Sequence, residues 1–235
     1  MTGGTGRYPE LVGIGVGPGD PDLLTVAAVR EFDTAGRVFV PVADLQTQGR
    51  AEAVVRAHLR HDRIERLVFA LGDAAADRVA AHLRSRGGTA AFATLGDPAV
   101  YSTFSYLAAG VTAALPHVRV RTIPGITAMQ AAASAVGVML GEGCEPVTLV
   151  PLARDLTALD AALATGGTVV AYKGGRRLAE LRDRVAAAGA LDRAWCAEHL
   201  GTPDEKVVPL AEVDAVGYLC TVLVLPVRRG RGQQL

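Results

Sequence analysis

Short apolar runs alternate along this chain with longer segments whose apolar positions recur at helical spacing. Residues 10–16 are apolar or glycine almost throughout and predict a strand buried on both faces. A glycine-rich turn follows. Asp20-Pro21 then predicts a helix start, running to about Phe32 with Leu23, Leu24, Ala27, Ala28 and Val29 as its apolar stripe. The same pattern predicts strands over 37–42, 66–71, 89–95 and 118–123. It predicts helices over 51–59, 73–86 and 98–115, and another starting near Thr127. Strands alternating with helices imply a mostly parallel sheet with flanking helices.

From Glu142 to Pro146 the pattern breaks, which predicts a domain boundary. Residues 8–143 then form one α/β domain and 144–228 a second. In the second half, strands are expected over 147–150, 168–172, 194–198, 206–210 and 219–226. Helices are expected over 155–163 and up to about Ala188. The last strand is nearly continuous in β-formers, and the sheet there is expected to be mixed and more antiparallel. The basic tail from Arg228 reads as a solvated terminus, with 229–235 flexible.

At 235 residues there is room for two domains around separate sheets, and half the residues are apolar, enough for a core in each. Lys plus Arg total 24 and so do Asp plus Glu, so no global field draws the chain to nucleic acid or an anionic membrane. An acidic ligand must be held by local charges. Cys144, Cys196 and Cys220 are widely spaced and odd in number, which fits reduced thiols rather than a disulfide framework or a zinc site. His58 and His61 lie one helical turn apart but lack a third ligand, so no metal is expected. The first residues have no apolar core for a secretory signal, and no apolar run approaches a membrane span. A soluble cytoplasmic protein is expected.

Three stretches carry candidate chemistry. In Thr94-Leu-Gly-Asp-Pro-Ala-Val-Tyr-Ser-Thr-Phe-Ser-Tyr-Leu107 a strand ends and the chain turns through Gly96-Asp97-Pro98. Pro98 suits a first helical position and Asp97 suits the cap before it. Ligands in open α/β sheets bind at such strand ends. In Val12-Gly-Ile-Gly-Val-Gly-Pro-Gly-Asp-Pro-Asp-Leu-Leu-Thr25 the alternating glycines invite a dinucleotide reading. That reading fails at Pro18, which stands where the third glycine is required. No Lys-Ser/Thr pair follows, which excludes a P-loop. The plain alternative is a tight turn packed close to a helix. The third stretch is Ile123-Pro-Gly-Ile-Thr-Ala128.

Together these stretches resemble the tetrapyrrole methylases, which use S-adenosylmethionine, in an order and spacing that run from about Leu11 to about Pro226. The continuation through Tyr101 to Leu107 is similar to the branch that methylates C20 of precorrin-2, or its cobalt-bearing counterpart, in cobalamin biosynthesis. The resemblance implies a two-domain α/β fold, a homodimer, and a tetrapyrrole and S-adenosylmethionine held in one crevice. It implies cofactor contacts at Pro18, at Leu95, Gly96, Asp97 and Val100, and at Thr127 and Ala128 at a helix start. Further cofactor contacts are implied at Tyr172 and Lys173, at Gly201 and Thr202, and at Cys220 and Thr221. Gly15 and Gly17 would face the tetrapyrrole. Lys173 departs from the Met common in the uroporphyrinogen branch. The implied acceptor carries many carboxylate arms. Arg50, Arg176 and Arg177 are candidate counter-charges, since guanidinium grips carboxylates through a planar fork. Ordinary solvated arginines are the plain alternative.

No catalytic residue is identified. The uroporphyrinogen branch has an acidic proton acceptor near the end of its second strand, where this chain reads Phe39-Val-Pro-Val42, with Asp44 only nearby. Asp44, Tyr101 and Tyr106 are the candidates. Methyl transfer needs the nucleophile, methyl and leaving sulfur in line, and positioning alone removes much of that barrier. The expected reaction converts precorrin-2 to precorrin-3A and leaves S-adenosylhomocysteine. The alternatives are cobalt-precorrin-2 as acceptor, a nicotinamide-dependent oxidoreductase, and a tetrapyrrole carrier that moves no methyl.

Overall fold

The computed structural model describes residues 8–59, 61–68 and 74–228, and the chain divides into two compact units, Met1–Thr127 and Ala128–Leu235. Among the described residues the first unit holds five strands: β1 (Glu10–Gly15), β2 (Arg37–Val42), β3 (Ile64–Val68), β4 (Thr89–Thr94) and β5 (Arg119–Ile123). They pair in the order β3-β2-β4-β1-β5, all parallel. Successive residues point to opposite faces, so both faces need cover. Val12, Ile14, Val38 and Val40 pack under α1 (Val26–Thr34) and α2 (Arg50–His58), with Phe32, Val54 and Val55. Leu11, Phe39 and Phe92 pack under α3 (Ala74–Arg86) and α4 (Phe104–Ala114), with Val79, Leu83, Phe104, Leu107 and Val111. Each fully buried Val, Leu or Phe contributes roughly 1.5–3 kcal/mol.

The second unit begins with α5 (Ala128–Val136). It continues through β6 (Val147–Pro151), α6 (Thr157–Leu163), β7 (Thr168–Tyr172), α7 (Leu178–Ala187), β8 (Ala194–Glu198), β9 (Lys206–Pro209) and β10 (Thr221–Val224). The sheet order is β6-β7-β10-β8-β9; β6 and β7 are parallel and every other pair is antiparallel. Helices α6 and α7 cover one face through Leu159, Leu181 and Val185. Ala132 and Ala133 of α5 pack on the other, among Val170, Ala197 and Leu223.

That packing places α5 in the second unit, so the compact units divide at Thr127 and not at the pattern break near residue 143. The helix expected from Asp20 is two elements. Asp20 caps a single 3-10 turn, Pro21–Leu23, and Thr25 then caps α1 by accepting the Ala28 N–H at 3.2 Å. The helix expected from Pro98 starts only at Phe104, for reasons given below. Arg228 is no solvated tail residue: its guanidinium donates to Glu145 Oε2 at 2.6 Å and to the Met139 carbonyl at 3.0 Å. The expected tail 229–235, the end of the expected strand at Leu71 and the expected helix start at Asp73 lie outside the described residues. Among those described, no helix is long and apolar enough to cross a membrane.

Candidate functional site

Since β1, β4 and β5 are adjacent and parallel, the turns that follow them emerge side by side at the carboxyl end of the sheet. Gly17 and Gly96 form a two-bond antiparallel bridge: Gly96 N–H donates to the Gly17 carbonyl at 2.7 Å and Gly17 N–H to the Gly96 carbonyl at 3.3 Å. The third turn is locked by a carboxylate, because Asp97 Oδ2 accepts the Gly125 N–H at 3.0 Å. Gly15 lies between them with no room for a side chain. A Cβ there would sit 2.5 Å from the Gly96 carbonyl oxygen and 2.6 Å from Gly125 N. Gly96 is the opposite case: at φ +66° its missing Cβ would, among the described residues, face open space, with Thr127 Cα alone within reach at 3.9 Å. A ligand atom can approach the main chain there as no side chain would allow.

The use of Asp97 for this lock explains why α4 starts late. Its Oδ1 accepts the Ala99 N–H at 2.7 Å, so the carboxylate spans a local turn and a distant one and caps no helix. Tyr101 follows at φ +48°, outside any helical path. Ser102, just before the Thr103 cap position, takes the first helical amide: its Oγ accepts the Phe104 N–H at 3.0 Å and bonds Thr94 Oγ1 at 2.9 Å. Tyr101 is partly exposed, and burial of the rest holds its phenol above the ordinary value. Tyr106 projects from α4 largely exposed. Pro18 is buried beside Gly17, Leu95 packs partly against the core, Val100 is half-buried, and Thr127 is buried.

Asp44 lies in the exposed loop 43–49 after β2. Its Oδ1 accepts the Thr47 N–H at 2.7 Å and the Gln46 N–H at 2.9 Å. Bonds from Thr47 chiefly, with Arg66 nearby, hold this carboxyl below the usual carboxylate range. It is ionised at neutral pH but is already an acceptor for its own turn. Arg50, half-buried, opens α2.

In the second unit Tyr172, Lys173, Cys220 and Thr221, with the turn after β8, lie at one end of the sheet. β7 and β8 each run antiparallel to β10, so their carboxyl ends flank its amino end, and Thr221 is in register with both Tyr172 and Ala197. Lys173 follows β7 at φ +63°, with its N–H on the Cys220 carbonyl at 3.2 Å. His199 follows β8 at φ +51°. Its carbonyl accepts Thr202 Oγ1 at 2.7 Å, and Glu205 Oε2 accepts the Gly201 N–H at 2.6 Å, so the Gly201-Thr202 turn is fixed. Cys220 and Thr221 are buried; the hydrogen bond from neighbouring Cys196 lowers the Cys220 thiol, and the same bond raises that of Cys196.

Arg154, Arg176 and Arg177 line an open hollow of about 570 Å³ beyond β6 and β7. Arg176 lies over the Tyr218 ring, 5.1 Å from its centroid, a cation–π contact. Arg177 is more committed, to Glu180 at 3.3 Å and the Arg154 carbonyl at 2.9 Å.

Among the described residues Tyr101, Lys173 and His199 are the non-glycines with positive φ, and each follows the carboxyl end of a strand. Such backbone strain costs about 1–3 kcal/mol per residue and clusters at ligand sites. Sequence reasoning assigned no role to Gly125 or Ser102 in the site. Gly125 was visible as the second residue of the Pro-Gly turn, and Ser102 as one of two polar residues, with Thr103, just before the stripe Phe104, Leu107, Val111.

Comparison with known proteins bears on this geometry. The family model for tetrapyrrole (corrin/porphyrin) methylases matches residues 10–214. A precorrin-2 C(20)-methyltransferase from Sinorhizobium sp is 33% identical, over 94% of this chain and 96% of that protein. A cobalt-precorrin-2 C(20)-methyltransferase from Salmonella typhimurium is 26% identical, over 92% and 95%. The same fold occurs in the Thermus thermophilus uroporphyrin-III C-methyltransferase, solved with S-adenosylhomocysteine. That structure has a TM-score of 0.66 and 21% identity, and covers 92% of each chain. With a family match across most of its length and a full-length relative of this similarity, the chain belongs to the tetrapyrrole methylases.

Proposed function

We propose that this protein transfers the methyl group of S-adenosylmethionine to C20 of precorrin-2, giving precorrin-3A and S-adenosylhomocysteine in cobalamin biosynthesis. The observation that carries the reading is the group of turns at Gly15, Gly96 and Gly125, with open space over Gly96 next to Thr127. It presents rigid main-chain N–H and C=O groups with no net charge, apart from an Asp97 carboxylate already bonded twice. These residues fit an adenosyl cofactor whose sulfonium carries positive charge. When bound, S-adenosylmethionine supplies an electrophilic methyl group.

The chain's part is to hold and orient. Gly96, Asp97, Val100 and Thr127, with Pro18 and Leu95 beside them, are the proposed cofactor contacts of the first unit. Ala128, Tyr172, Lys173, Gly201, Thr202, Cys220 and Thr221 are those of the second. Gly15, Gly17, Arg50 and Arg176 serve the tetrapyrrole. Arg177 is the weaker candidate, since Glu180 and the Arg154 carbonyl already engage it. The nucleophile is the enamine-like meso carbon, whose electron pair is pushed by the ring nitrogens. Alignment therefore accounts for more of the rate than proton transfer does. Tyr101, protonated at neutral pH and shifted further above the ordinary phenol value by partial burial, is suited to donate a hydrogen bond and unsuited to act as a base.

Incubation with precorrin-2 and methyl-labelled cofactor tests this: labelled precorrin-3A is expected, and absence of label beside an active control enzyme overturns it. The name of the Salmonella typhimurium relative supports a second reading, with the cobalt-bearing substrate. Relative turnover of the metal-free and cobalt forms separates the two. Nothing in the fold or the relatives supports the oxidoreductase. The homodimer implied by the resemblance is part of the proposal, and sedimentation of the full chain checks it.

A further inference from the structure

The loop 43–49 leaves β2 at the same carboxyl end of the sheet as the glycine turns, and an ion triad with a buried carboxylate at its centre holds it from beneath. Glu52, on the first turn of α2, has no exposed surface. Arg56 Nε donates to its Oε1 at 2.7 Å and Arg66 Nε to its Oε2, also at 2.7 Å. Arg66 stands on β3 and has a second grip, its Nη1 donating to the Leu45 carbonyl at 2.6 Å. One guanidinium thus ties a carboxylate inside α2 to the main chain of the loop, while Asp44 folds that loop on itself.

Stability alone does not account for the device. Desolvating a carboxylate between two cations costs several kcal/mol, and apolar side chains of the same volume often do as well or better. What a fixed fork adds is geometric definition, because both of its donors point in set directions.

We propose that Glu52 and Arg66 are positioning residues for the tetrapyrrole: they fix the loop that carries Asp44 and leads into Arg50, and so set the register of the macrocycle's carboxylate arms. This rests on the function proposed above. Arg66→Lys keeps a cation for Glu52 but cannot hold Glu52 and the Leu45 carbonyl together. Losing one such bond raises KM for the tetrapyrrole about tenfold. kcat and the affinity for S-adenosylhomocysteine should change little, and amide exchange over 44–49 should accelerate. Glu52→Gln should give the same split.

Faster exchange with an unchanged KM, or parallel losses in KM, kcat and S-adenosylhomocysteine affinity, would reduce the triad to a structural support and overturn the proposal. Should wild type bind precorrin-2 yet move no methyl, the functional reading falls separately. The triad is then judged by precorrin-2 titration: weaker binding by Arg66→Lys supports it, and equal binding ends it. A wild type that binds no tetrapyrrole sinks both.

Discussion

Asp97 Oδ2 accepts the Gly125 N–H at 3.0 Å, across 28 residues of sequence, and so fixes the turn after β4 against the turn after β5. The same carboxylate holds the Ala99 N–H at 2.7 Å through its other oxygen. Asp97→Ala frees both amides, and the lost bonds cost about 1.5–3 kcal/mol at a half-buried carboxylate. Methyl transfer should fall further than stability does, because the Gly96 main chain moves with them. Urea unfolding and initial rates on one preparation check this. Equal losses in the two would assign Asp97 to the fold alone.

Gly15→Ala and Gly17→Ala look alike in sequence and should behave differently. At Gly15 the new Cβ meets main-chain atoms at 2.5 and 2.6 Å, which cannot swing aside, so two turns must shift. Overpacking of this kind costs about 1–3 kcal/mol or more. At Gly17 the nearest atom is 3.4 Å away and the penalty is that of a left-handed residue, at φ +75°, about 1–2 kcal/mol. Gly15→Ala should therefore abolish S-adenosylhomocysteine binding, measured by calorimetry, where Gly17→Ala only weakens it. The reverse order would refute the close-approach argument.

Lys173→Gly relieves a strained backbone at φ +63° but frees the unfolded chain, so stability should stay within about 1 kcal/mol of wild type. If the strain is retained for ligand contact, activity should drop at least tenfold while the melting temperature holds. A variant as active as wild type would show that the side chain has no part in the reaction.

The Glu52 carboxyl gives a pH signature. Burial pushes its pKa up, but the bonds from Arg66 and Arg56 outweigh burial and leave it below the usual carboxylate range. Its proton therefore prefers the unfolded chain. The associated stability is complete above the unfolded carboxylate pKa of about 4.3 and is lost as pH falls toward the folded value. The urea midpoint of wild type should drop more steeply below about pH 4 than that of Glu52→Gln. Parallel curves would mean that the triad does not titrate as described.

The strands were the most legible part of the sequence. β2, β7 and β8 span the residues that their apolar runs predict, because a strand buried on both faces is apolar through its middle and turns polar near its ends. The helix starts were less legible, because capping residues compete. Asp97-Pro98 has the local form of a helix start, yet Asp97 is engaged by Gly125, which no local rule can foresee, and Ser102 takes over. Asp20 and Thr25 are both good caps, and the chain uses both. The unit boundary at Thr127 was hidden for a similar reason: the alanine face of α5 fits either sheet until its packing on Ala197 and Leu223 is seen. At the site, the glycines were visible as turns, but that Gly15 lacks space while Gly96 faces it was not.

The pairing of β1 has a consequence for how the chain is made. Its neighbours are β4, with Glu10 opposite Thr89, and β5, with Glu10 opposite Arg119. During synthesis β1 therefore finds no partner for one edge until residues 89–94 follow it, and none for the other until residues 119–123 do. Long-range pairing of this kind is slow and leaves apolar surface open to other chains in the meantime. Leu11 to Gly15 is thus the stretch on which a nascent chain most depends for protection during translation.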